Sequence, residues 1–511
     1  MLSRKKGLTT VALVLAAFSL LHLFLFIDHG LNVYDEGVAA YGALRLAQGD
    51  MPYRDFWTIY APGQFYALAG VYGMFGFSLI VGRVFTALML VGAVIAVFTL
   101  AARRGGRAVG ALAMMLAAVW VSSFEGRTPA MPCSVLLSLV SCVALLAFAE
   151  ARRGRDAVLA GVLTGLAVLY RHDIGVYTAI AQGVVLLAVE GAGPVRDRLR
   201  GVVAYAVGGF TVLGPALVCL LLVVPADVLL RDLVSFPARV YPAVRSLPYP
   251  APGLQTMAFY FTPLMCAVCL ARYRLRSARV LLFVLMGLLF MGQAAVRSDV
   301  THLFPAMFPG ILLFGFLTGD MRNAHAFRSG VWGGAARWVY LAMPALCAVT
   351  FLRPLTFQLV NVVGLARGGG SQVVLDRRGK SVRLPSDKEW YPDLVRYVRN
   401  MVPPEESIFV GNRRHDRIAV NDVVLYFLAE RACATRYHEL HPGMATTAAC
   451  QRRIVQDLES AGVNTVVLGD FDNTEPNKGG ESSGVRLLDE HIAANFVTVT
   501  NFGPYVVMER K

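Results

Sequence analysis

Charged residues are scarce in this chain of 511 residues. Asp, Glu, Lys and Arg make up only 16% of it, whereas soluble domains carry about 25%. Hydrophobic residues reach 56%. Apolar runs of about 20 residues recur, and each is long enough to cross roughly 30 Å of hydrocarbon. The composition therefore excludes an ordinary soluble protein and predicts a polytopic membrane protein.

Motifs of common soluble enzymes are also absent. The sequence has no P-loop, no G-x-S-x-G and no H-E-x-x-H. It has neither an internal repeat nor a low-complexity tract. Candidate functional residues therefore have to be found from their position relative to the apolar runs.

Basic residues exceed acidic ones, 48 to 34, and give a net charge of +14. The excess falls mostly in short loops between apolar runs, which the positive-inside rule explains better than nucleic-acid binding does. Arginine clusters occupy alternate loops on the side of the basic N-terminus. We therefore expect that side to be cytoplasmic.

The apolar runs predict eleven membrane-spanning helices. A signal peptide is the alternative for the first run, but the run is long and no small-residue cleavage site precedes residue 35. Residues 157–190 fit either one tilted helix or two spans that meet at Arg171. We prefer two spans because one would place the arginine cluster 272–279 outside. The predicted spans are 8–27, 79–101, 108–122, 132–149, 157–170, 174–190, 202–224, 255–271, 279–295, 302–318 and 331–352.

An odd number of spans places the C-terminus on the exoplasmic side. Residues 1–353 are predicted to form the transmembrane domain, with a first exoplasmic loop at 28–78. Residues 354–511 are soluble in composition, and alternating helix and strand patterns predict a small exoplasmic α/β domain. An oxidising compartment permits a disulfide between Cys433 and Cys450, the two cysteines of this domain.

The first loop contains three acids among many aromatic residues: Asp35, Glu36 and Asp55. We expect the loop to lie on the membrane surface with its apolar face towards the lipid. A carboxylate there can act as a general base towards a hydroxyl. A solvated helix cap is the alternative for a lone acid, but three acids in one such loop favour a site.

Basic residues come from the other exoplasmic loops: Arg127, Arg171, Arg297 and His302. Guanidinium groups bind phosphate through their fork geometry and permanent charge. Lipid headgroups are alternative ligands for Arg171 and Arg297, and a helix start without a role is the alternative for His302. Acids and arginines together suit transfer of a group from a lipid-linked phosphate.

Three pieces of sequence resemble the polytopic, lipid-phosphate-dependent glycosyltransferases of the GT-C class. They are Asp35-Glu36 after the first span, GDMPYRD at 49–55 and Ala61-Pro62-Gly63. More narrowly, they resemble bacterial glycosyltransferase family 39, with its relatives of protein O-mannosyltransferases and of the aminoarabinose transferase for lipid A. The resemblance implies a GT-C fold, Asp35 as catalytic base and Arg171 near the donor phosphate. APGQFY stands where the mannosyltransferases have a His-Pro-Pro-Leu run.

We therefore expect an inverting, multi-pass plasma-membrane glycosyltransferase with a polyprenyl-phosphate sugar donor. The acceptor would be a hydroxyl of an envelope glycan, lipid or protein. No cofactor and no metal site are expected, although the acids could hold a divalent metal ion. Asp35 would activate the acceptor, Glu36 and Asp55 would position acceptor or sugar, and Arg127, Arg171, Arg297 and His302 would hold the donor phosphate.

A transporter or a flippase of lipid-linked glycans is the alternative from another class. It calls for ionisable residues near the bilayer midplane and for repeated halves. A polysaccharide polymerase is a second rival, but it would lack this first loop.

Overall fold

The helices of the computed structural model agree with the predicted spans. The structure describes residues 2–124, 127–188, 195–273, 277–321, 334–367, 372–470 and 480–511. Helices α2 (Asp35–Ala47) and α3 (Gly63–Phe75) lie in the first loop, α10 (Ala226–Leu230) and α11 (Tyr241–Arg245) lie in the loop after the helix Val195–Leu221, and each of the other eleven overlaps one predicted span. The helices are α1 (Leu2–Leu25), α2 (Asp35–Ala47), α3 (Gly63–Phe75), α4 (Leu79–Gly105), α5 (Arg107–Val121), α6 (Ala130–Ala151), α7 (Gly154–Tyr170), α8 (His172–Ala188), α9 (Val195–Leu221), α10 (Ala226–Leu230), α11 (Tyr241–Arg245), α12 (Met257–Tyr273), α13 (Ala278–Val296), α14 (Val300–Met321) and α15 (Gly334–Ala366).

Length and hydropathy identify this as a multi-pass membrane protein. Among the described residues, seven helices (α1, α4, α6, α9, α13, α14 and α15) are long and apolar enough to cross a bilayer. Helices α5, α8 and α12 are shorter but also apolar. The predicted break at Arg171 is confirmed, because α7 ends at Tyr170 and α8 begins at His172.

Glycines let α7 pack tightly against α9. A Cβ atom at Gly161 would lie 1.9 Å from the carbonyl oxygen of Tyr205, and one at Gly208 would lie 2.1 Å from that of Val158. Small residues at such contacts bring helix backbones together, which matters in lipid, where burial of apolar surface gives no driving force.

Polar side chains gather at two ends of the helix bundle. At one end, Asp320 accepts hydrogen bonds from Arg104 and Tyr273, and Arg279 pairs with Glu150. This is the end where the arginine-rich loops lie. At the other end, the first loop, the loop after α9, the turn before α14 and the C-terminal domain meet.

The C-terminal domain has the predicted α/β composition. Its central sheet has five strands in the order β4-β3-β5-β7-β6, with β3 parallel to β4 and β5, and with β7 antiparallel to β5 and β6. A separate two-stranded hairpin precedes it. The predicted boundary between residues 353 and 354 lies inside α15. The elements are β1 (Gln372–Val374), β2 (Arg383–Pro385), α16 (Trp390–Met401), β3 (Ser407–Asn412), α17 (Val424–Ala429), β4 (Ala432–Cys433), α18 (Ala448–Ser460), β5 (Thr465–Gly469), α19 (Leu487–Asn495), β6 (Phe496–Phe502) and β7 (Tyr505–Arg510).

One hydrophobic core joins the first loop to the C-terminal domain. Tyr41 of α2 stacks on Tyr426 of α17, with ring centroids 5.0 Å apart. A Cβ atom at Gly37 would lie 2.3 Å from the backbone nitrogen of Val424, so only glycine permits this approach. The expectation that the apolar face of α2 lies against lipid is therefore wrong, because the C-terminal domain covers that face.

The predicted disulfide is also wrong in this structure, where Cys433 and Cys450 are both free. Cys433 pairs in register with Ile408 and packs with the core that includes the first loop. Cys450 lies in α18, in a second core that includes Phe409. Neighbouring residues of a strand point to opposite faces of the sheet. The two thiols therefore lie on opposite sides of β3.

Candidate active site

Asp35 begins α2 at the bundle end that faces the C-terminal domain. Its backbone N–H donates to Asn32 Oδ1 at 2.8 Å, and Asn32 Nδ2 donates to Asp35 Oδ2 at 3.3 Å. The Asp35 side chain is partly exposed. Asn32 therefore fixes the start of the helix and one carboxylate oxygen, while the residue remains partly exposed.

Glu36, the neighbouring acid, points elsewhere. It is buried and forms a bidentate ion pair with Arg83 of α4, with distances of 2.6 and 2.9 Å. Arg83 also donates to the carbonyl oxygens of Ile27 and Gly30. The pair thus ties the first loop to a membrane helix, and the carboxylate of Glu36 is taken up by Arg83.

Asp55 is tied to its own turn. Its carboxylate accepts from Arg54 at 2.7 Å and from the backbone N–H of Met51 at 2.7 Å. The hydrogen bond from Arg54 is the main reason why the pKa of Asp55 is lowered. Asp55 and Glu36 share a loop with Asp35, but their side chains contact other partners.

Arg127 also contacts the first loop. It donates a hydrogen bond to the carbonyl oxygen of His29. That contact holds the chain just after α1.

Three of the predicted basic residues converge around Tyr241. His302 Nε2 lies 3.0 Å from Tyr241 Oη, and its Nδ1 lies 2.8 Å from Asp299. Burial raises the pKa of Tyr241, and the nearby positive charges of Arg297 and Arg171 lower it. The structure therefore brings together side chains from the turn between α7 and α8, from α11 and from the turn before α14.

Hydrogen bonds orient each member of this basic cluster. Arg297 donates to Asp299 at 2.8 Å and to the carbonyl oxygen of Arg245 at 2.8 Å. Arg171 donates to Asp173 at 3.0 Å. Burial alone would raise the pKa of Asp299, but the hydrogen bond from His302 and the charge of Arg297 lower it. Asp299 therefore stays ionised and holds both neighbours in place.

Arg245 is a member of the cluster that the sequence analysis did not select. Its guanidinium group lies over the ring of Tyr241, 5.8 Å from the centroid. The residue stands among prolines and aromatics in the loop after α9, which was predicted to be exoplasmic. Its place in that loop was a usable signal.

Tyr60 links the acids to the basic cluster. Burial raises its pKa, and the nearby carboxylates of Asp35 and Glu439 raise it further. The charge of Arg245 lowers the pKa of Tyr60, and Tyr241 also lies close to the Tyr60 hydroxyl. Asp35 and the basic cluster therefore border one site, with Tyr60 between them.

Residues 438–441 of the C-terminal domain, the HELH segment, complete this site. Glu439 is fully buried and accepts a hydrogen bond from Tyr34 Oη at 3.3 Å. His441 packs against the rings of Trp57, Phe236 and Tyr241. No sequence motif pointed to this segment, since only packing brings it to the first loop.

Ligands for a metal ion are not assembled here. Within the described residues, no group of three His, Cys, Asp or Glu side chains is arranged to hold one.

Comparisons with known proteins agree with this fold. Residues 60–224 match a sequence family described as dolichyl-phosphate-mannose-protein mannosyltransferase. The crystal structure of ArnT from Cupriavidus metallidurans bound to undecaprenyl phosphate is 15% identical to this chain, with a TM-score of 0.52 over 98% of both chains. The chain has the fold of GT-C glycosyltransferases. The predicted resemblance to that class is confirmed.

A second solved structure has the same fold. This chain is 14% identical to the arabinofuranosyltransferase AftD from Mycobacteria, with a TM-score of 0.52. The match covers 98% of this chain but only 40% of AftD. No curated protein matches the sequence of this chain.

Proposed function

We propose that this protein is an inverting glycosyltransferase that moves a sugar from a polyprenyl phosphate to an acceptor hydroxyl at the exoplasmic face. The observation that supports this most is the single site bordered by Asp35 on one side and by Arg171, Arg297 and His302 on the other. A base and a phosphate-binding cluster are the two groups that such a transfer needs.

The reaction uses the two sides of the site differently. Asp35 takes the proton of the acceptor hydroxyl, whose oxygen forms a bond to the anomeric carbon. The bond from that carbon to the phosphate oxygen breaks, and the polyprenyl phosphate leaves with the electron pair. Arg171, Arg297 and His302, joined by Arg245, stabilise the charge on the leaving phosphate. A phosphate neutralised in this way needs no general acid.

Other residues of the first loop act on its structure in this mechanism. Glu36 attaches the loop to α4 through its ion pair with Arg83. Asp55 stabilises the turn that precedes it in sequence, through hydrogen bonds from Arg54 and from the backbone of Met51. Arg127 fixes the exit from α1. No cofactor is required, because base and phosphate-binding groups come from the chain itself.

The donor is proposed to carry a polyprenyl chain, in line with the undecaprenyl phosphate bound to ArnT. The acceptor is a hydroxyl of an envelope glycan, lipid or protein. The N-terminus is proposed to be cytoplasmic and the C-terminal domain exoplasmic, because the arginine-rich loops lie at the end of the bundle opposite the site.

Transport finds less support in the structure. The polar groups buried between α6, α7 and α8 are uncharged among the described residues, with Ser141, Thr164 and Gln182 hydrogen-bonded to one another.

Mass spectrometry of membrane lipids and envelope glycans, with and without the gene, tests the proposal. Loss of the gene should remove one sugar from an envelope component and leave the corresponding polyprenyl-phosphate sugar to accumulate. Unchanged glycans together with unchanged polyprenyl-phosphate sugars would contradict the proposed function.

A further inference from the structure

Glu439 has a carboxylate oxygen without a partner in the protein interior. Its Oε1 accepts from Tyr34, whereas Oε2 is inaccessible to solvent and makes no hydrogen bond of normal geometry to any described residue. Thr58 lies beside the carboxyl group as well. A buried polar atom without a hydrogen-bond partner destabilises the folded protein. Such an atom beside Asp35 therefore indicates a place for a ligand.

His441 repeats this arrangement two residues later. Its Nδ1 donates to the carbonyl oxygen of Pro442 at 2.8 Å, which leaves Nε2 as an acceptor. Nε2 is buried and has no hydrogen-bond partner in the part of the chain that the structure describes. Burial, together with the charges of Arg245 and Arg297, lowers the pKa of His441 to about 3, so the ring is neutral. Two orphaned groups of one segment thus face the same site.

We propose that the HELH segment forms the sugar-binding side of the active site. In this proposal, Glu439 and His441 form hydrogen bonds with sugar hydroxyls beside Asp35. This inference rests on the proposed function. Hydroxyl groups fit because they can donate to His441 Nε2 and can either donate to or accept from a carboxyl group. Both atoms are closed off from solvent, so ligand entry requires the first loop and the HELH segment to separate.

The charges around Glu439 decide its protonation state. Its pKa is raised to about 8, mainly by burial and in addition by the neighbouring Asp35 carboxylate, against the opposing effects of Thr58, the Tyr34 hydroxyl and Arg245, which lower it. Tyr53 and Tyr60 also lie within electrostatic range. Glu439 is therefore protonated at neutral pH and loses its proton as the pH rises through about 8. Two neighbouring carboxyl groups with different protonation states allow one to act as base and the other to donate a hydrogen bond.

Sugar transfer by Glu439 variants tests this. In membranes that contain the extracted polyprenyl-phosphate sugars of the producing cell, Glu439→Ala should reduce transfer by about tenfold, the worth of one hydrogen bond near 1.4 kcal/mol. Glu439→Gln should keep most of the activity at pH 7, because an amide resembles the protonated acid. Wild-type activity should fall as the pH rises above about 8, because Glu439 loses its proton, and Glu439→Gln should not show this fall. Binding of undecaprenyl phosphate, which carries no sugar, should stay unchanged in both variants.

Two controls separate a binding role from a structural one. Tyr34→Phe removes the hydrogen bond to Oε1 but leaves Oε2, so it should retain transfer. Glu430→Gln changes an acid of the same domain that pairs with Arg377 outside the site, so it should behave as the wild type. A loss in Tyr34→Phe as large as that in Glu439→Ala would show that Glu439 only holds the first loop.

The remaining outcomes are also decisive. The wild type should bind the sugar-bearing donor more tightly than undecaprenyl phosphate. If Glu439→Ala loses this difference in affinity, the hydroxyl that Glu439 binds belongs to the donor. If transfer is slower but donor binding is normal, the hydroxyl belongs to the acceptor. Wild-type transfer and an unchanged pH profile in Glu439→Ala, with Asp35→Asn inactive, would overturn this inference alone. No sugar transfer by the wild type would instead overturn the proposed function.

Discussion

At the scale of single residues, the basic cluster shows why position in a loop is informative. Arg171, Arg297 and His302 stand at helix ends, and the order of spans was enough to place them on one face. Glu439 and His441 could not be predicted, because the sequence gives no spacing that relates them to Asp35. Their role depends on how a separate domain packs onto the first loop.

Arg171→Ala should weaken the binding of undecaprenyl phosphate by roughly 10- to 100-fold, which corresponds to the loss of a charge-assisted hydrogen bond. Sugar transfer should fall as well, because a phosphate contact acts in both the ground state and the transition state. Arg171→Lys should recover part of both, since an ammonium group keeps the charge beside Asp173 but cannot form a bidentate contact. Titration of the lipid into purified protein measures the affinity.

The control is Arg239→Ala, which removes an exposed arginine of the loop after α9. It should leave the affinity unchanged. Equal losses in Arg239→Ala and Arg171→Ala would mean that only the overall charge of this face matters.

At the scale of elements, the helices were easier to predict than the surfaces that pack against them. Each predicted span contains a helix because about 20 apolar residues can satisfy their backbone in lipid only as a helix. The apolar face of the first loop was predicted as well, but the protein surface that covers it was not. Amphipathic spacing shows that a face is buried without showing whether lipid or protein covers it. The same limit explains Cys433 and Cys450, since their separation in sequence does not reveal opposite faces of β3.

Glu36→Gln should destabilise the attachment of α2 to α4. Removing one partner of a buried ion pair leaves Arg83 uncompensated, which costs about 3 kcal/mol. The thermal unfolding midpoint of purified protein in detergent should fall clearly. Donor binding should be retained in the fraction that stays folded, because Arg83 lies outside the basic cluster.

Asp55→Asn is the matched control for this prediction. Its ion pair with Arg54 is largely exposed, with side chains 30% and 47% accessible, so solvent screens it. The unfolding midpoint should change little. A larger fall for Asp55→Asn than for Glu36→Gln would contradict the assignment of Glu36 to the loop anchor.

At the scale of the whole molecule, the two ends of the helix bundle differ in chemistry. Arg104, Asp320 and Arg279 form ordinary ion pairs at one end, while the candidate site and the C-terminal domain lie at the other. In the proposed mechanism, the membrane helices are the scaffold and the reacting groups lie in the loops at one end of the bundle. The C-terminal domain then belongs to the site, because it shares a core with the first loop.

The proposed membrane orientation rests on this asymmetry and on the positive-inside rule. A reporter that is active only in the cytoplasm should be active when fused after Arg107 or Arg200. It should be silent when fused after Ser246 or at Lys511. Activity at Lys511 would place the C-terminal domain, and the candidate site with it, on the cytoplasmic side.

Sugar transfer by Asp35→Asn tests the central claim most directly. Asparagine keeps the size of the side chain and most of its contact with Asn32 but cannot accept a proton at neutral pH. If Asp35 is the base, transfer of labelled sugar from polyprenyl phosphate should fall by roughly 10²–10⁴-fold, while undecaprenyl phosphate binds as it does to the wild type. Near-normal transfer by Asp35→Asn, with the lipid still bound, would remove the base from the mechanism and contradict the account.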